Sequence, residues 1–73
     1  MTNTRTPRYR KFLERLHQAR LDAGLTQVEA AKRLHKPQNF ISKCERGERR
    51  VDAVEPTDFA LIYRKPITYF YDR

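Results

Sequence analysis

What the chain lacks narrows the choices first. It has no tryptophan, one cysteine and two glycines among its seventy-three residues. A lone Cys44 rules out an internal disulfide and suits a reducing cytoplasm, where we expect this protein to work. No apolar run approaches the ~18–20 residues that a membrane span needs. The opening MTNTRTPR has no apolar signal-peptide core, so secretion is not expected. A chain this short buries only about 60% of its unfolded surface and leaves no room for an enzyme cleft between two domains. Chemistry is equally thin. His17, His35 and Cys44 are the only candidates for nucleophile or base, with no oxyanion cradle or glycine-rich loop nearby. Two histidines and one cysteine fall short of the four ligands zinc normally takes. No catalytic residue, metal or cofactor is therefore expected.

Acidic residues are scarce over the first fifty positions. Residues 1–50 carry thirteen Lys/Arg against five Asp/Glu, a net of +8, while residues 51–73 carry three against four, a net of −1. A basic surface of this size favours a polyanionic partner and salt-sensitive association.

Helical spacing runs through the whole chain, with no stretch of period two. Residues 1–7 read as a mobile arm. In the helix expected over 8–23, Tyr9, Leu13, Leu16, Arg20 and Ala23 share one face. Gly24 ends it. Thr26 and Glu29 form a capping box for a second helix, whose Val28, Ala31 and Leu34 are expected to point inward. Leu34 to Pro37 is a turn, and His35 a tolerable left-handed residue there. Pro37 suits the first position of a third helix ending near Gly47. Asp52 is placed to cap a fourth helix, with Pro56 in its first turn. Phe59, Ile62 and Tyr63 form its inner face, and Ile67 to Tyr71 a short last turn. The fold class is all-α, a compact bundle of four to five helices.

The third helix has two faces. At about 100° per residue, Gln38, Asn39, Ser42, Lys43 and Arg46 fall within roughly 140° of one another, while Phe40, Ile41, Cys44 and Glu45 fill the opposite arc. Amides, a hydroxyl and cations without a carboxylate are what base edges and phosphates require together. Cys44 reads as a small core hydrophobe.

These residues also carry a resemblance. L-T-Q-x-E-A-A-x-x-L followed by P-Q-x-x-I-S-K-x-E-R-G-E-R-R resembles the helix-turn-helix of Cro and phage-repressor-type (xenobiotic-response-element-like) transcription regulators, over about Tyr9 to Phe70. The resemblance implies a lambda-repressor-like domain over 8–73 with its recognition helix at about 37–46. It implies double-stranded DNA as partner and base contacts at the positions matching Gln38, Asn39 and Lys43. Gln27 matches a residue that grips the DNA backbone, and Ser42, Arg46, Arg49 and Arg50 are added as phosphate contacts. Glu45 matches a glutamate commonly paired with an arginine on the first helix, here Arg20. The family usually has glycine where His35 stands and a larger apolar residue at Cys44.

Five of the eight aromatics lie in the last fifteen residues; some are expected to close the core over the first helix, and the rest suggest a homodimer through the C-terminal segment, with core packing in a monomer as the rival. Such dimers bind half-sites about 10–10.5 base pairs apart. The expected function is a sequence-specific regulator, a repressor by operator occupancy. Two alternatives stay open: an antitoxin or restriction-control regulator with a protein partner, and an adaptor that has lost specific DNA binding.

Overall fold

The computed structural model describes residues 6–52 and 54–71. The helices run in the order α1 (Pro7–Asp22), α2 (Gln27–Arg33), α3 (Phe40–Glu45) and α4 (Glu55–Tyr63), followed by a 3-10 helix at Ile67–Tyr71. There is no strand among the described residues.

Each start has a local cause. Thr6 caps α1, its hydroxyl accepting the Tyr9 N–H at 3.2 Å, and Pro7 takes the first position, where its missing N–H costs nothing. Both residues had been assigned to the arm; the remainder of that arm, including Arg5, lies outside the described residues. The capping box of α2 is complete: the Glu29 N–H donates to the Thr26 hydroxyl at 3.1 Å, and the Thr26 N–H to the Glu29 carboxylate at 2.8 Å. Asp52 does not cap α4 with its side chain. The roles are reversed, since the Glu55 carboxylate accepts the Asp52 N–H at 2.9 Å.

The ends follow one rule. After α1, Gly24 donates to the Leu21 carbonyl at 3.0 Å and Leu25 to the Arg20 carbonyl at 3.2 Å, a Schellman closure. His35 and Lys36 close α2, Gly47 and Glu48 close α3, and Arg64 and Lys65 close α4 with the same bond pair. This closure needs a left-handed residue. Gly24 and Gly47 supply it at φ 73° and 77°, but His35 and Arg64 adopt it at 58° and 57° despite carrying Cβ atoms. The chain's only two glycines thus serve two helix ends, and the other two ends bear strain.

Leu16, Ile41, Cys44, Phe59, Tyr63 and Phe70 are the largest fully buried side chains. The apolar stripe of α1 is wider than the expected face, taking in Phe12 and Ala19 as well. Ala30 and Ala31 let α2 approach the core closely. Val28, expected inward, is exposed. The inner side of this two-turn helix centres on Gln27, Ala30, Ala31 and Leu34, which leaves Val28 about 110° away.

Rings from α3 and α4 stack in series, Phe40 on Phe59 (6.3 Å) and Phe59 on Tyr63 (5.8 Å). Burial pushes the Tyr63 phenol above its ordinary pKa, so it packs as a neutral ring. Most of the C-terminal aromatics are used internally. Phe70 is buried, Tyr69 lies under the Arg15 and Lys65 cations, and Tyr71 stacks on Phe12 at 5.8 Å while staying 58% exposed.

His35→Gly and Arg64→Gly should each relieve about 1 kcal/mol of left-handed strain, offset in part by glycine's greater freedom when unfolded. Each is expected to raise the melting temperature by about 4 °C in a domain this small. Calorimetry of the two variants checks this, and an unchanged or lower melting point would show that the side chains contribute contacts.

Candidate nucleic-acid interface

The recognition unit is a turn followed by a short helix. α3 begins at Phe40 rather than Pro37. Pro37 to Asn39 form a tighter turn, closed by the Phe40 N–H donating to the Pro37 carbonyl at 3.0 Å. Asn39 sits at φ −89° and ψ 2°, and its side chain makes no capping bond. Gln38 and Asn39 therefore stand ahead of the helix, exposed, with their amides unused by the cap.

The two faces expected of α3 are present. Phe40, Ile41 and Cys44 are buried, and Lys43 and Arg46 are exposed. Gln38, Asn39 and Ser42 share a shallow groove of about 450 Å³ with Gln27 and Val28 of α2. Val28, unforeseen at this surface, gives the groove an apolar wall. Lys43 lies outside it.

Glu45 is the anchor. Its side chain is 6% exposed and faces Arg20, itself 9% exposed. Arg20 Nε donates to Glu45 Oε2 at 2.7 Å, Nη2 to Oε1 at 3.2 Å, and Nη1 to the Leu25 carbonyl at 3.0 Å. His17 Nδ1 lies 3.0 Å from Glu45 Oε1, and Gln27 Nε2 donates to the same oxygen at 3.3 Å. One carboxylate thus ties α1, α2 and α3 together. The pair with Arg20 had been expected; His17 and Gln27 had not. The signal for His17 was its place three residues before Arg20, on the same helix face. Gln27, expected as a backbone grip, has one amide hydrogen directed inward.

Burial pushes the Glu45 carboxyl up, but hydrogen bonds from Arg20, His17 and Gln27 and the Arg20 charge outweigh it, leaving it below the ordinary glutamate value. The bond to Glu45 likewise raises Arg20. Burial raises the Cys44 thiol, against the opposing Arg49 bond, so Cys44 is a neutral core residue.

The arginines after α3 divide in role. Arg46 is exposed and paired with Glu48 at 3.1 Å. Arg50 is exposed. Arg49, expected on phosphate, is turned inward onto Glu55, with bonds of 2.9 and 3.0 Å. No group of three or more His, Cys, Asp or Glu among the described residues could hold a metal, and no helix there is long and apolar enough to cross a membrane.

Glu45→Ala strands a buried arginine and is expected to cost about 3–5 kcal/mol, read as a large fall in melting temperature. The pH dependence follows the same carboxylate. Its folded pKa is depressed, so its stabilisation is present above the unfolded value of about 4.3 and is lost as pH falls through the lower folded value. Urea unfolding between pH 7 and pH 3 should show this loss, and Glu45→Gln should make it smaller, with Glu55 still contributing.

Comparison with known proteins agrees with this architecture. A family model described as a helix-turn-helix domain matches residues 11–64. No curated protein matches the chain. A solved structure of an XRE-family like protein from Pseudomonas syringae pv. tomato is similar at 42% identity and a TM-score of 0.79, over 88% of this chain and 80% of that one. The chain belongs to the helix-turn-helix family, as a DNA-binding regulator of the Cro/XRE type.

Proposed function

We propose that the protein is a sequence-specific repressor that occupies its operator with α3 and the preceding turn in the major groove. The observation that carries this reading is the side-by-side exposure of Gln38 and Asn39 ahead of α3, with Ser42 and Gln27 in the same groove. Amides there can pair bidentately with adenine, and Lys43 can donate to guanine O6 or N7. Ser42, Arg46, Arg50 and the second amide hydrogen of Gln27 are suited to phosphate, which fixes register without reading sequence. The Val28 wall suits an apolar contact such as a thymine methyl.

Two copies would bind together. Val54, Leu61, Ile67 and Tyr71 are exposed apolar side chains in the part of the chain whose net charge is −1, where self-repulsion of a basic protein is least. That composition supports pairing through this end.

Selection of bound duplex from a random pool tests the proposal. A two-fold symmetric site with half-sites about 10–10.5 base pairs apart is expected. On that site, Gln38→Ala should cost about 1–3 kcal/mol and relax one position, whereas Arg50→Ala should weaken all sequences alike and lower the salt slope by about 1. Equal binding to every sequence by the parent protein would reject the reading.

A further inference from the structure

We propose that Arg49 and Glu55 are a positioning pair: Arg49 touches no nucleic acid, and through Phe40 and the Arg50 main chain the pair sets the pose of the reading turn. The inference rests on the DNA-reading function proposed above.

The recognition helix is too short to hold itself. Six residues give α3 less than two turns, and its first residue has no side-chain cap. Its orientation must come from tertiary contacts at both ends. Glu45 supplies the C-terminal contact through Arg20. At the N-terminal end stands Phe40, bonded directly to Asn39 and two residues after Gln38.

Arg49 meets Phe40 there. Its guanidinium carbon lies 4.6 Å from the centre of the Phe40 ring. The same group makes a two-pronged bond to Glu55, Nη1 to Oε1 at 2.9 Å and Nη2 to Oε2 at 3.0 Å. Nη1 also donates to the Arg50 carbonyl at 2.8 Å and lies 4.0 Å from Cys44 Sγ. One side chain therefore touches the first turn of α3, its last turn, the following loop and α4.

Glu55 is built for this partner. Its side chain is 12% exposed, and it also accepts the Asp52 N–H. Burial pushes its carboxyl up, but Arg49, the Asp52 N–H and the Lys36 charge bring it below the ordinary value. Bonded to this carboxylate, Arg49 keeps its charge but has it compensated, and a phosphate approaching it would meet the Glu55 charge as well. Planarity matters as much as charge. Lysine cannot bridge both carboxylate oxygens while stacking flat on a ring, yet it serves phosphate well as a point charge.

That difference makes Arg49→Lys decisive. Specific and non-specific affinities would be measured for the parent, Arg49→Lys, Arg49→Ala, Glu55→Gln and the Arg49→Lys/Glu55→Gln double variant on the selected duplex. Measurements would run at several salt concentrations, well below each melting temperature, with folding checked by circular dichroism. Each single variant should lose specific affinity on the order of tenfold, Arg49→Lys with the salt slope and non-specific affinity unchanged, and the double variant should be no worse than either in specific affinity. Glu55→Gln is nearly isosteric and reports on the pair if Arg49→Lys fails to fold. The inference is overturned if Arg49→Lys binds like the parent, if Glu55→Gln keeps full specific affinity, or if Arg49→Ala lowers the salt slope by about 1. A parent protein without any preferred site overturns the DNA-reading proposal itself, and this inference with it. A parent with a preferred site and unaffected variants overturns only the role of the pair.

Discussion

The Glu45 carboxylate holds the arrangement together. It is an acceptor shared by three helices, taking bonds from Arg20 and Gln27 with His17 beside it. A buried ion is costly, and replacing such a pair with apolar residues is often neutral or stabilising. Its contribution here is geometric. Apolar packing of Ile41 and Cys44 against the core tolerates sliding, whereas a carboxylate that must meet two guanidinium nitrogens and an amide has little freedom. The angle of α3 to α1 is set by that match, and Gln27 brings α2 into the same register.

The second ion pair completes the mounting. Arg20–Glu45 lies toward the end of α3, while Arg49–Glu55 reaches its beginning through Phe40. The surface amides stay free of structural work: Gln38 and Asn39 neither cap the helix nor enter the core. The ion pairs hold the two ends of α3, while the exposed amides stand in the turn ahead of it. The groove they share with Gln27 and Val28 inherits its shape from the helices beneath it.

Much of this was legible in the chain. The capping box at Thr26 and Glu29 rests on bonds within four residues. The left-handed turn at His35, Pro56 in the first turn of α4 and the apolar arc of Phe40, Ile41, Cys44 and Glu45 are equally local. The pairing of Glu45 with Arg20 came from resemblance rather than spacing, because twenty-five residues separate the partners. Less legible was the start of α3. Proline is compatible with either a helix or a tighter turn, and the register of the core chose the turn. Arg64 gave no local sign of a left-handed helix end, since nothing about arginine favours it.

By itself the sequence determined the all-helical class and the order of the helices, the capped start of α2, which arc of α3 is apolar, and the basic excess of its first fifty residues. These are properties of neighbours along the chain and of hydrogen bonds spanning a few residues. Only the tertiary structure decided which charges are drawn into the fold. Arg46, Arg49 and Arg50 are near-equivalent in the sequence, yet Arg49 meets a carboxylate from the next helix and the face of a phenylalanine. Val28 came to line the groove, and His17 and Gln27 to flank Glu45, for the same reason. Packing brings together residues far apart in the chain, and it is the partner each side chain then meets that selects its role.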